Sequence, residues 1–382
     1  MAVYLDNNAT TKPLPAVLEA MEPYLRDLYG NPSSPHQFGQ ECRRAVEDAR
    51  ASVAELISAA SPTEIVFTSC ATESISQAFH IASATFGEKR FRIATSSVEH
   101  VAVLETAEYY RHKGAELVIV GVDSEGNLNL KQLDAALSKG PVFVSLMLAN
   151  NETGVILPLQ EAGALCKQHK AIFHVDVVQA IGKLPVAVRE LQCDYLSLSA
   201  HKFHGPKGIG ALYIRHGAAR GAWIRGHQED NARGGTENVA GIVGIGAAAQ
   251  AVKASLTADM KRMAQLRDAL EQGILSAVPG SEINGDSKHR LCNTTNIHFP
   301  NKNSAQLVER LSAQQVFVSA GAACTTGGKP SHVLRAMGLG EERANASLRF
   351  SLGKLTTRQE IDEALRIVPE ALKSSLDVFA VS

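Results

Sequence analysis

The 382-residue chain is short of aromatic residues, which make up 5% of it, and it has a single tryptophan. It also has no excess of either charge: 38 lysines and arginines stand against 39 aspartates and glutamates, a net charge of −1. That balance excludes a globally basic nucleic-acid binder and an acidic tail protein. Its 30 glycines and 14 prolines are ordinary fractions and exclude collagen-like and disordered classes. There is no internal repeat, low-complexity block or Gly/Ser linker. The six cysteines, Cys42, Cys70, Cys166, Cys193, Cys292 and Cys324, form no Cys-x-x-Cys pair, which fits a reducing compartment better than a disulfide framework. Asp6, Asn7 and Asn8 interrupt the N-terminus before any apolar leader could form. The longest apolar stretch, Val239 to Ala249, is well short of the ~20 residues of a spanning helix. The expectation is a soluble, cytoplasmic protein with neither a membrane nor nucleic acid as a direct partner.

What is present is an α/β rhythm. Short β-rich runs at 64–68, 91–95, 116–120, 142–148, 171–175, 195–199 and 210–214 alternate with helical patterns at 40–57, 101–113, 130–137 and 159–170. Such alternation predicts a large domain with a mostly parallel sheet covered by helices. From about residue 255 the pattern changes. A long amphipathic helix, 256–277, leads into segments 293–299, 305–314, 349–352 and 358–372, a smaller α+β C-terminal domain. The expected division is residues 13–253 for the large domain, with 1–12 and 254–382 for the small one.

In open α/β sheets ligands bind beyond the C-terminal strand ends, so the residues there carry the functional reading. Ser69-Cys70-Ala71-Thr72-Glu73-Ser74 opens a helix, where free amides and the helix dipole favour an anion; the alternative is an ordinary helix cap. His100 opens another helix, and alone it reads equally as a packed histidine. Asn150-Asn151-Glu152-Thr153-Gly154 is either a polar cluster or a turn. Asp176 sits between Val175 and Val177, where a carboxylate needs a partner such as a protonated pyridine nitrogen. Lys202 lies between His201 and a Gly/Pro turn, where crowding and desolvation favour amine chemistry over a plain surface lysine. Together these are the parts that pyridoxal 5'-phosphate requires: an anion cradle, an acid for the ring nitrogen, a stacking histidine and a lysine for covalent attachment.

The motifs Asp6-Asn7-Asn8-Ala9-Thr10-Thr11, Thr68 to Ser74, Glu99-His100, Asn150-Asn151-Glu152, His174-Val175-Asp176, Ser199-Ala200-His201-Lys202, Arg233 to Asn238, Ala322-Ala323-Cys324 and Ser347 to Gly353 resemble those of cysteine desulfurases. These form the NifS-like branch of the class V, fold-type I pyridoxal-phosphate enzymes, and the resemblance runs from residue 4 to about 370. It implies that Lys202 holds the cofactor and takes the substrate's α-proton. Asp176 would pair with the ring nitrogen, Gln179 would meet the phenolic oxygen, and His100 would stack on the ring as an acid–base group. Ala71 and Thr72, through their amides, with Ser199 and His201 would bind the phosphate. Thr236 would reach the phosphate of a neighbouring subunit, which implies a homodimer. Asn151 and Arg349 would hold the carboxylate of L-cysteine, Arg349 bidentately. Cys324, in a stretch of small residues, would take the sulfur as a persulfide and pass it to an acceptor in iron–sulfur cluster assembly or thiolation. The reading against Cys324 is a structural cysteine.

The sequence departs from the family pattern at Cys70, where Gly is usual, at Val178, where a hydroxyl residue is common, and in the arginine-poor segment 226–233; the stretch from Cys324 to Pro330 is shorter than in the housekeeping enzymes. The nearest alternative is a selenocysteine lyase or another class V enzyme, such as an aminotransferase. An inactive sulfur carrier is opposed by the intact Lys202, Asp176 and His100. A nicotinamide dehydrogenase is opposed by the lack of G-x-G-x-x-G after the first strand. No metal-ligand spacing stands out, and His201-x-x-His204 is assigned to the phosphate loop.

Overall fold

A computed structural model describes residues 2–87, 91–140, 142–321 and 330–373. The chain opens with β1 (Val3–Tyr4), α1 (Pro15–Arg26) and α2 (Gln37–Leu56). It then alternates through β2 (Ile65–Thr68), α3 (Ala71–Phe86), β3 (Arg92–Ser96), α4 (Val101–His112), β4 (Glu116–Val120), α5 (Leu130–Leu137), β5 (Phe143–Met147), α6 (Leu159–Gln168), β6 (Ile172–Asp176), α7 (Val188–Leu191), β7 (Tyr195–Ser199) and β8 (Gly210–Ile214). After the single turn α8 (Gln228–Asn231) and the 39-residue helix α9 (Val239–Ala277) come β9 (Glu282–Ile283), β10 (Thr294–His298), α10 (Ser304–Ala313), β11 (Val316–Phe317), α11 (His332–Ala336), α12 (Gly340–Asn345), β12 (Ser347–Ser351) and α13 (Arg358–Lys373).

Strands β2 to β8 form one sheet in the order β2-β8-β7-β6-β5-β3-β4. Only β8 runs against the rest. Alternate side chains enter two apolar layers, as the two-residue strand period requires. Ala94, Val144, Leu146, Val175, Leu196 and Leu198 pack beneath α2, α5, α6 and α9. Their neighbours Ile93, Phe143 and Tyr195 pack beneath α3 and α4. A sheet buried on both faces explains the nearly continuous apolar strands in the sequence.

A second core joins Val3 and Leu5 to Leu266, Leu270 and Ile274 of α9, to β10 and β12, and to Ile361, Ala364 and Val368 of α13. Strand β1 pairs with β11, and β12-β10-β9 form an antiparallel sheet. Helix α9 serves both cores without a break: Ile242, Ile245 and Val252 enter the first, Leu266 to Ile274 the second. The expected helix start at 256 is therefore corrected to Val239, and no loop separates the two cores at 254. An 18-residue window of α9 has a mean hydropathy of 1.5, half of it buried inside the protein. That apolar content packs against α1 and α2, as in a core helix.

Candidate active site

Five parallel strands, β2, β3, β5, β6 and β7, end at the same edge of the sheet, and each delivers part of one site. Strand β2 leads into α3, whose N-cap, Cys70, makes no side-chain cap bond to the first-turn amides. Ala71 and Thr72 open that turn, and Glu73 is anchored to Arg233 at 2.9 Å. Gly210, at the start of the adjacent β8, is required by close approach: a Cβ there would lie 2.9 Å from Cys70 Cα.

Strand β3 leads to His100, the N-cap of α4, whose Nδ1 accepts the Ala102 N–H at 3.1 Å. Burial, then the charges of Lys202 and His332, pulls its pKa down to about 4. His100 is thus neutral near pH 7, with its proton on Nε2.

Asp176 ends β6. Burial raises its pKa to about 6, opposed by the Val178 N–H, which it accepts at 2.8 Å, and by Lys202. Gln179 lies in the following turn, where its Nε2 donates to the Asn8 carbonyl at 3.0 Å.

Strand β7 ends at Ser199 and turns directly through Ala200–Lys202. Lys202 Nζ donates to the carbonyls of Asn8 at 2.6 Å and Ala9 at 2.9 Å. His201 Nδ1 meets Thr10 Oγ1 at 3.1 Å, and burial followed by Lys202 lowers its pKa to about 4. His204 is turned elsewhere, toward the Lys12 carbonyl and the Lys354 N–H, so His201 and His204 do not converge.

The residues expected to meet the substrate come from both cores. Arg349 of β12 donates through Nη1 to the Asn151 carbonyl at 2.9 Å and through Nη2 to Asp6 at 2.6 Å. Its fork is thus already divided between two acceptors. Thr236 is exposed, in the segment between α8 and α9, and lines a cavity with Thr68, Ser69 and Gly208 of its own chain. Cys324 lies outside the described residues. The described residues begin again at Pro330, and Ser331 donates to the buried carboxylate of Glu152.

Sequence reasoning left several site residues without a role. Asn8 is held by four bonds: its N–H donates to Ser351 Oγ, its Nδ2 to the Asn151 carbonyl and Thr294 Oγ1, and its Oδ1 accepts from Asn293. This pins the carbonyl that Lys202 and Gln179 share. Its signal was the Asn7-Asn8 pair within a motif. Asp6 opens that same motif, whereas the buried Lys183 lies in none of the motifs.

Among the described residues, Ser199 Oγ, Asn151 Oδ1 and Arg349 Nε are buried without a hydrogen-bond partner. Unpaired buried polar atoms are costly, and two at the strand ends of the large sheet, with a third on Arg349 of β12 bonded to the Asn151 carbonyl, suit ligand atoms. An uncapped helix start beside Ser199 suits a phosphate, and a desolvated carboxylate suits a protonated ring nitrogen. The residues present therefore fit pyridoxal 5'-phosphate.

Fold and site together define a fold-type I pyridoxal-phosphate enzyme. The chain belongs to the class-V aminotransferase family, whose model matches residues 3–364. Within that family it is a NifS-like enzyme. It is 47% identical to cysteine desulfurase 2 of Trichormus variabilis over 369 residues, 96% of this chain and 92% of that protein. It superposes on a solved NifS-like protein with a TM-score of 0.91 at 40% identity, covering 97% of this chain and 99% of that one. A structure of SspA in complex with cysteine is similar at 31% identity, with a TM-score of 0.80 over 93% of this chain and all of that one (100%).

Proposed function

We propose that this protein is a cysteine desulfurase that moves the sulfur of L-cysteine onto Cys324, releases L-alanine and passes the sulfur to an acceptor. The observation that carries the reading is the meeting of Lys202, Asp176 and neutral His100 at one sheet edge, beside a buried Arg349 with an unpaired Nε. The likeness to desulfurases over nearly the whole chain, and to a protein solved with cysteine, supports the substrate.

Pyridoxal phosphate, when bound, supplies an electron sink for negative charge at the substrate's α-carbon. Lys202 would hold it, with Asp176 at the ring nitrogen, Gln179 at the phenolic oxygen, and Ala71, Thr72, Ser199 and His201 around the phosphate. Arg349 and Asn151 orient the substrate carboxylate. Lys202 Nζ then accepts the α-proton, and His100, whose Nδ1 is occupied, exchanges a proton through Nε2. The Cys324 thiolate attacks the substrate sulfur. The new S–S bond forms as the C–S bond breaks, and the bonding pair stays with carbon, which is protonated to give alanine. One sulfur atom is transferred, so substrate plus thiol balances alanine plus persulfide.

The proposal extends to a homodimer in the cytoplasm, supplying iron–sulfur cluster assembly or a thiolation route. Leu18, Leu25 and Tyr29, and separately Trp223 and Ile224, are exposed apolar side chains available to a second subunit.

The test is a single-turnover incubation of purified protein with L-cysteine. Alanine should appear in equal amount to sulfur bound on the Cys324 peptide, read by mass spectrometry. Alanine without sulfur on that peptide, or an amino group passed to a keto acid, would overturn the reading.

A further inference from the structure

Lys183 is a buried amine that the proposed reaction does not use. It follows Gly182, whose left-handed φ of 78° closes the turn after β6, and it is 5% exposed. Its Nζ donates to Gln179 twice, to the backbone carbonyl and to Oε1, both at 3.1 Å. Among the described residues no carboxylate is hydrogen-bonded to it. The groups acting on it are Lys202 and Arg349, both cationic, and Cys292, whose thiol donates to the Lys183 carbonyl at 3.4 Å. His201 and His204 feel its charge, and Asp259 and Lys354 line the adjoining cavity. Burial, then Lys202, pulls its pKa down to about 7. A buried amine without a carboxylate costs stability, so a hydrophobe would serve packing better.

We propose that Lys183 is a positioning residue that locks the Gln179 carboxamide with its NH2 group on the side of Lys202. The inference rests on the pyridoxal-phosphate reading of the site. Gln179 has one acceptor end and one donor end, and a half-turn of the amide would exchange them. Lys183 donates to Oε1, and the Asn8 carbonyl can only accept from Nε2. Both contacts select the same orientation. The Asn8 carbonyl is also the one Lys202 Nζ reaches, so the locked N–H face is the face that looks into the cofactor site. The second N–H of that amide remains to be offered there.

A double-mutant cycle on the holoenzyme tests this, using Lys183→Met, Gln179→Ala and the double variant. The readout is the pH titration of the bound-cofactor absorbance, with thermal unfolding of each variant as a control. Lys183→Met should raise the apparent pKa of the chromophore by about half a unit, a roughly threefold change in proton affinity. It should produce no further shift in the Gln179→Ala background. An unshifted titration in Lys183→Met, or an equal shift in both backgrounds, would overturn the proposal, because the effect would then not pass through Gln179. If Lys183→Met does not fold, Lys183→Gln is run through the same cycle with the same criterion. No chromophore in the parent protein overturns the cofactor reading as well, whereas a normal chromophore that ignores Lys183 sinks this inference alone.

Discussion

Asp6 and Arg349 stand 343 residues apart in the chain and meet at 2.6 Å, Oδ1 to Nη2, with the arginine side chain almost wholly buried. The contact ties the segment after β1 to β12. It also leaves the Arg349 Nε edge as the part of the guanidinium still unpaired. A carboxylate arriving there adds to a cation that Asp6 and the Asn151 carbonyl already orient.

Arg349→Ala removes the donor from Asp6 and from Asn151. Breaking one side of a buried pair costs about 3 kcal/mol, so urea denaturation of the cofactor-free protein should show a loss of that order. The KM for L-cysteine should rise roughly thirtyfold, matching about 2 kcal/mol of lost charged hydrogen bonding. An unchanged KM would remove Arg349 from substrate binding.

Lys202→Ala should yield colourless protein that binds pyridoxal phosphate weakly and does not turn over. The Asn8 carbonyl keeps its Gln179 contact, so the fold should persist by circular dichroism. A retained yellow absorbance would place the covalent attachment elsewhere.

Asp176→Asn probes a carboxyl whose pKa is raised from 3.8 to about 6 by burial. A raised native value means that wild-type stability is fully present below about pH 4 and is lost as the pH climbs through 6. Asparagine has no such loss. In cofactor-free protein the variant should therefore gain on wild type between pH 4 and 6 and hold that gain above it, by about 3 kcal/mol at most. With cofactor the order should reverse, since the ring nitrogen loses its anion. Denaturation midpoints across that pH range decide it.

Gly210→Ala places a methyl group 2.9 Å from Cys70 Cα and 2.7 Å from the Cys70 carbonyl carbon. Backbone on both sides cannot yield cheaply, and overpacking of this kind costs about 1–3 kcal/mol. The shift falls at the start of α3, so the cofactor dissociation constant should rise together with the loss of thermal stability. A stability loss with unchanged cofactor affinity would separate this turn from phosphate binding.

Cys324→Ser should keep the cofactor absorbance while sulfide release from L-cysteine falls by about a thousandfold or more, as expected when a thiolate nucleophile is removed. Undiminished release would move the nucleophile to another thiol, with Cys70 first.

Much of this site was readable because its residues follow strands. A buried parallel strand is a short apolar run, and the polar residue that ends it stands out, as Asp176 does after Phe173 and Val175 and Lys202 does after Leu196 and Leu198. Less was readable in the small core, where two-residue strands such as β1 and β11 carry no periodicity of their own. The sequence reading starts helix α9 at 256 because the glycines of its first half lower helix propensity and its nearly unbroken apolar run shows no polar face, whereas packing against α1 and α2 holds that half helical.

The order of the chemistry along the chain, the class of the sheet and the types of group at its edge follow from the sequence, because strand periodicity and strand-end composition are local properties. The partners of those groups do not. That Lys202 reaches the Asn8 carbonyl across 194 residues and that Asp6 holds Arg349 across 343 were decided by how the two cores close on each other. Such contacts depend on the position of the backbone in space, which no local pattern specifies.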